Sequence, residues 1–103
     1  MFGNILGKLG EMKEKMAEVK EKLNHVTVTG EAGDGKVRVT ANGNRKLTEI
    51  NIYESLVKEG DKVNLERLIL EASNNALDQA EEINESEMKK AAKGLLPNIP
   101  GLF

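Results

Sequence analysis

In the first quarter of the chain, apolar residues fall at Phe2, Ile5, Leu9, Met12, Met16, Val19 and Leu23, alternately three and four positions apart. Those steps keep to one side of an α-helix, so the spacing predicts a helix over 4–24 with a heptad seam. With Leu9, Met16 and Leu23 at the a positions and Ile5, Met12 and Val19 at d, Lys8, Lys15 and Lys22 fall at g. Lys13 and Lys20 fall at e, and Glu11, Glu14, Glu18 and Glu21 take the outer face. Glu11–Lys15 and Glu18–Lys22 are four apart with the acid first, the favourable order for a helical ion pair.

From residue 25 the period changes to two. Val26 and Val28 alternate with Thr27 and Thr29. Val37, Val39 and Ala41 alternate with Lys36, Arg38 and Thr40, and Ile50 and Ile52 with Glu49 and Asn51. Gly33-Asp34-Gly35 and Asn42-Gly43-Asn44 separate the runs as turns. The pattern predicts strands near 25–30, 36–41 and 48–52, an antiparallel meander with one apolar face and one wet face. Residues 54–60 read as a loop. Asp61 is placed to cap a long helix over about 62–93, with Leu65, Leu68, Ile69, Ala72, Ala76, Ala80 and Ile83 on its apolar face. Glu66, Glu71, Asp78, Glu81, Glu82, Glu85 and Glu87 dominate the rest of its surface. Lys89, Lys90 and Lys93 suit the negative end of the helix dipole, and Gly94 is a natural C-cap.

The expected fold class is therefore α/β of the α+β kind: N-terminal helix, three-stranded antiparallel sheet, long C-terminal helix. Residues 1–94 form the expected single domain, and 95–103 an apolar tail broken by Pro97 and Pro100. The two helices carry more apolar face than three short strands can cover, which points to a homodimer with Met12, Met16, Leu68, Ile69, Ala76 and Ala80 in its interface.

Composition narrows the chemistry. Charged residues make up 31% of the chain, and no apolar run approaches the roughly 20 residues of a membrane span. No signal peptide is visible. With no Cys, disulfides, thiolate metal sites and a Cys nucleophile are excluded, which is compatible with a reducing cytoplasm. Aromatics amount to Phe2, Tyr53 and Phe103, which argues against stacking on single-stranded bases. His25, the one histidine, starts a strand as an ordinary polar residue and has no Ser, metal or carboxylate constellation around it. The carboxylates of the long helix read as a solvated face rather than an acid–base pair. Gly33-Asp34-Gly35 joins two strands and is too short for a phosphate-binding loop. No catalytic, cofactor or metal site is expected.

Net charge is −2, distributed as +1 over residues 1–24, zero over 25–60 and −3 over 61–103. The lysines flanking the first seam are the charge pattern with shape. Like charges at e and g oppose pairing of this helix with its own copy as a simple coiled coil. Those lysines either pair with acids of the long helix or face outward toward phosphates. Lys89, Lys90 and Lys93 lack downstream acids and read as freer, with Lys36 and Arg38 as reserve candidates.

Several stretches resemble one family when taken in order. They are Met1-Phe2-Gly3 before a Lys/Glu/Met helix, Val28-Thr29-Gly30-Glu31-Ala32-Gly33, Gly35-Lys36-Val37-Arg38-Val39-Thr40, Asn42-Gly43 and Ile50-Asn51-Ile52. Ser55-Leu56, Asn75-Ala76-Leu77, Ala80-Glu81-Glu82 and the Pro-Gly-Leu-Phe ending complete the set. Together they are similar to the YbaB/EbfC family of bacterial nucleoid-associated proteins along nearly the whole chain. The sequence departs after Ile52, where members often have Asp-Pro and Tyr53-Glu54 stands here. The resemblance implies a tweezer-shaped homodimer, a cytoplasmic, nucleoid location, and DNA binding without enzymatic activity. It carries no sharp motif for the DNA contacts. The expected partners are double-stranded DNA and a second copy, with no membrane and no small-molecule substrate. The DNA contacts expected from the helix lysines are Lys8, Lys13, Lys15, Lys20, Lys22, Lys89, Lys90 and Lys93. They would form a sequence-tolerant phosphate clamp that influences nucleoid organisation and gene expression. The alternative is a non-catalytic adaptor that docks a partner through its acidic helix or apolar tail.

Overall fold

A computed structural model describes residues 2–95. The chain forms α1 (Phe2–Asn24), β1 (Thr27–Ala32), β2 (Val37–Asn42), β3 (Leu47–Ile52), a short α2 (Glu54–Lys58) and the long α3 (Lys62–Leu95). The expected helix–sheet–helix order is present. Three details differ. Residues 54–58 are a helical turn and a half rather than loop, and its Leu56 is buried at the end of the core. The helix α3 runs through Gly94 to Leu95 instead of stopping before the glycine. His25 lies in the turn after α1, where its ring bonds Glu21 at 3.2 Å, and β1 starts two residues later. Residues 96–103 of the expected tail lie outside the described residues.

The sheet has the order β1-β2-β3, antiparallel throughout, with Gly30 opposite Val39 and Val39 opposite Ile50. One face of β1 and β2 meets α3. Val37, Val39 and Ala41 are buried there with Ala32, Leu68, Ala72, Ala76 and Ala80. The alanines recur every four residues, so one small-residue stripe faces the sheet. Gly30 sits against that stripe so closely that a Cβ would strike the backbone of Ala72 and Ala76. This corrects the expectation that Leu68, Ala76 and Ala80 serve a dimer interface. They are buried inside one chain, because small residues let α3 lie directly on β1. Ile69 is half-buried at the border of the same core.

The outer edge of β1 is closed by side chains of α3. Gln79 Nε2 donates to the Thr29 carbonyl at 2.7 Å and Asn75 Nδ2 to the Glu31 carbonyl at 3.1 Å. The opposite strand is left open. Ile50 shares the face of Val39, yet 48% of it stays exposed, because α3 lies mainly over β1 and β2 and barely touches β3. Leu47, opposite Ala41, is exposed as well.

A second small cluster joins the helices: Val19 and Leu23 of α1 pack with Ala91 of α3, beside Met16, Ile83 and Met88. Lys22 meets Glu87 and Lys15 lines a cleft with Lys90, so the two helices run antiparallel. Asp61 caps α3 as expected, accepting from the Asn64 amide at 3.0 Å. The molecule measures 67 × 25 × 18 Å with a radius of gyration of 19.4 Å, well above the ~13 Å of a compact domain of about this length.

Candidate nucleic-acid interface

The expected DNA-contacting lysines divide into two groups. On α1, Lys22 Nζ lies 3.1 Å from Glu87 of α3, and Lys15 lies 3.8 Å from Glu18. Glu87 also takes Lys90 at 3.6 Å, so one carboxylate holds a lysine from each helix. The Lys22 hydrogen bond, joined by the nearby Lys22 and Lys90 charges, holds the Glu87 carboxyl below its ordinary pKa of 4.5 against a smaller opposing effect of burial. The expected pairs Glu11–Lys15 and Glu18–Lys22 are not formed. Lys22 instead reaches across to α3, where Glu87 is more sheltered, and Lys15 turns to Glu18, three residues on.

Lys8, Lys13 and Lys20 of α1 and Lys89 of α3 are exposed and have no ion pair among the described residues. Lys93 is exposed in the last turn and already engaged in an interaction. The expectation that Lys89, Lys90 and Lys93 are all freer than the α1 lysines is therefore corrected. Lys90 is tied to Glu87 one turn back, because the acids that matter are upstream on the same helix face. Of the reserve pair, Arg38 is bound across the strands to Glu31 at 3.2 Å, while Lys36 is unpaired among the described residues.

The structure brings forward cations that the sequence pattern passed over. Arg45 and Lys46 lie in the β2–β3 turn, exposed, next to the C-terminal end of α1. The turn is tightly made. Asn42 Oδ1 accepts from the amides of Asn44 (2.9 Å) and Lys46 (3.2 Å), and Arg45 takes a left-handed φ of 64°. Gly43 lies in the expected Asn42-Gly43-Asn44 turn, but the residue with positive φ there is Arg45. That glycine serves close approach instead, since a Cβ there would come within 2.9 Å of the Leu23 carbonyl. Among the described residues no cluster of His, Asp and Glu is placed to hold a metal ion, and no helix is long and apolar enough to cross a membrane.

A helix, a three-stranded antiparallel meander and a long helix with exposed lysines define a small α+β protein. Comparison with known proteins gives the family. Residues 1–95 match the YbaB/EbfC DNA-binding family, and the chain belongs to it. A nucleoid-associated protein of Caldanaerobacter subterraneus subsp. tengcongensis is 42% identical over 102 residues, covering 99% of this chain and 90% of the relative. One of Bacillus thuringiensis is 39% identical over 100 residues, covering 97% and 90%. The fold is shared with the crystal structure of an uncharacterized protein of Helicobacter pylori. Its TM-score is 0.77 at 28% identity, with 94% of this chain and 98% of that chain covered.

Proposed function

We propose that this chain is a nucleoid-associated protein that binds double-stranded DNA as a homodimer, through lysines meeting phosphates and with little regard to base sequence. The observation that carries the reading is the contrast among the lysines of this chain, a member of the YbaB/EbfC DNA-binding family. Lys8, Lys13, Lys20 and Lys89 stand exposed without a carboxylate partner, while Lys22 and Lys90 neutralise Glu87. The net charge of −2 is a sum over the whole chain, whereas phosphate contact depends on where the unpaired cations stand; on α3, Glu66 is matched by Lys62, Glu71 by Arg67, Glu81 by Arg45 and Glu87 by two lysines. Backbone contacts of this kind position a protein on DNA without reading bases.

Fluorescence anisotropy with two unrelated duplexes between 50 and 200 mM salt tests the reading. Similar affinity for both and a slope of log affinity against log salt of about −0.9 per phosphate contact are expected. Binding confined to very low salt would favour the adaptor reading.

The homodimer rests on the apolar surface that one chain leaves open. Leu47 and Ile50 lie exposed on β3, which α3 barely touches, and Ile5, Leu9 and Met12 continue the α1 seam past its last contact with α3. The elongated shape fits an assembly built from two copies. Sedimentation at low micromolar concentration should give a dimer, and Ile50→Asp should give a folded monomer. A well-folded wild-type monomer at that concentration contradicts the assignment.

A further inference from the structure

Two clefts flank the α1–α3 contact, and both are lined by three cations. The first, about 320 Å³, holds Lys15, Lys22 and Lys90, but Glu18 and Glu87 line it too. Glu87 sits between Lys22 and Lys90, so this cleft carries its own anion. The second, about 390 Å³, lies between the end of α1, the β2–β3 turn and α3. Lys20, Arg45 and Lys46 line it with the amides of Asn24, Asn44 and Asn84, and no carboxylate lines it.

This second notch is built rather than incidental. Asn44 Nδ2 donates to the Lys20 carbonyl at 2.9 Å and to Asn24 Oδ1, which ties the turn to the last turn of α1. Asn84 Nδ2 of α3, a buried side chain, donates to the Gly43 carbonyl at 3.0 Å. The Gly43 amide donates to the Leu23 and Val26 carbonyls at 2.9 and 3.0 Å. The turn is thus clamped between both helices, and its cations stand on a fixed frame. Arg45 Nη1 is held by Glu81 at 3.0 Å, which orients the guanidinium and leaves its Nε and Nη2 donors unused among the described residues. Lys20 and Lys46 have no ion pair among the described residues.

We propose that this notch seats a backbone phosphate of duplex DNA, with Lys20 and Lys46 supplying the charge and Arg45 a directed donor. Cations carried on a fixed backbone frame, with one guanidinium already oriented, bind an anion at a smaller ordering cost than cations on a mobile loop. The inference rests on the DNA-binding reading above and adds a site to it, made from a strand turn as well as the helices.

The test is the double variant Lys20→Gln/Lys46→Gln. Both side chains are exposed and unpaired, so thermal stability should stay at the wild-type value. With one phosphate seated per notch and two notches in the homodimer, the salt slope for duplex binding should fall by about two units, at ~0.9 per lost contact. The charge-matched control Lys58→Gln/Lys62→Gln removes lysines already paired with Glu54 and Glu66, and should keep the wild-type slope. In parallel, pyrophosphate is titrated into the full chain and amide shifts are followed by NMR. Shifts should concentrate at residues 43–46 and disappear in the Lys20/Lys46 variant. Duplex binding with an unchanged slope in that variant, and pyrophosphate shifts no larger there than at Lys36 or Lys89, overturns the notch and leaves the DNA-binding reading standing. If wild-type protein binds no duplex, the DNA-binding reading falls, and with it the assignment of a DNA phosphate. Pyrophosphate shifts at residues 43–46 would then define an anion seat for some other phosphate ligand.

Discussion

The two ends of α1 carry the same heptad and meet opposite fates. Val19 and Leu23 are buried against α3, with Leu23 fully enclosed, whereas Ile5, Leu9 and Met12 lie open and 56% of Leu9 is exposed. Met16 marks the crossing point, half-buried. An apolar seam therefore states that something covers a helix face, not that one partner covers all of it. Inside the chain that partner is α3, and only for the last two turns. The lysines follow this division only in part, since Lys20, beside the covered half, has no ion pair among the described residues and Lys15 is paired with Glu18. Lys22, beside the covered half, is neutralised by Glu87, and Lys8 and Lys13, along the open half, have no ion pair among the described residues.

The largest effects should come from breaking the covered end or the core it adjoins. Leu23→Asp or Leu68→Asp would bury a carboxylate without a partner, at a cost of several kcal/mol, and should leave the chain unfolded by far-UV circular dichroism. Leu23→Ala should cost about 2–5 kcal/mol in urea unfolding. Leu9→Ala should cost under ~0.5 kcal/mol in the isolated chain, as for an open surface site. A Leu9→Ala cost that grows with protein concentration would identify a second copy as the cover of the open end.

Next comes the clamp that fixes α1 to the sheet. Gly43→Ala places a methyl 2.9 Å from the Leu23 carbonyl oxygen and 2.7 Å from the Leu23 side chain. Backbone cannot yield as a flexible side chain can, so a loss of about 1–3 kcal/mol is expected. Gly60→Ala is the contrast. Nothing lies within 4 Å of its added Cβ, and the cost there is confined to its left-handed φ of 72°. Gly43 has no such φ, so a negligible loss for Gly43→Ala in urea unfolding would show that its close approach to Leu23 is relieved without cost.

These contrasts show what the sequence could and could not convey. The heptad of α1, the Val/Thr alternation, the glycine turns and the Asp61 cap were all legible, because each is a local pattern with one dominant structural solution. The short α2 was not, since five residues present no period, and Leu56 reads as a loop residue until its burial is seen. The alanines of α3 were legible as a face but not as to what they face. Ala76 against Gly30 requires knowing that β1 lies beneath α3. Ile50 shows the converse, an alternation that correctly assigns a face which then remains half open. The notch lay beyond local reading altogether. Lys20, Arg45 and Asn84 come from three separate elements, and Arg45 and Lys46 carry no periodic signal within their own turn.

A smaller effect concerns the acid that separates the two classes of lysine. Glu87 has a lowered carboxyl pKa, chiefly through its hydrogen bond to Lys22. A carboxylate with a native pKa below its unfolded value stabilises the fold fully above the unfolded pKa, and that contribution disappears as pH falls through the native one. Glu87→Gln should therefore lower the Tm slightly at pH 7. The gap to wild type should close as pH drops below about 4.5, the ordinary value for the group. A gap that stays constant down to pH 3 would assign the stabilisation to packing of the side chain rather than to its charge.

The smallest expected effect separates two adjacent lysines at the end of α3. Lys89 and Lys90 are both exposed and carry the same charge, and a row of basic residues would treat them alike. Lys90, however, lies 3.6 Å from Glu87, while Lys89 has no ion pair among the described residues. A phosphate that recruits Lys90 must compete with a carboxylate already in place, so its net gain is smaller. Lys89→Gln should lower the salt slope of duplex binding by about one unit per protomer in contact with DNA, with no change in Tm. Lys90→Gln should lower it by less, because Lys22 remains to satisfy Glu87 and the lost lysine was partly neutralised beforehand. Adding Glu87→Gln to the wild type frees Lys22 and Lys90 together, so the slope should steepen and affinity should rise. If Lys89→Gln and Lys90→Gln gave equal losses, and Glu87→Gln left binding unchanged, ion pairing inside the protein would have no bearing on which lysines meet DNA.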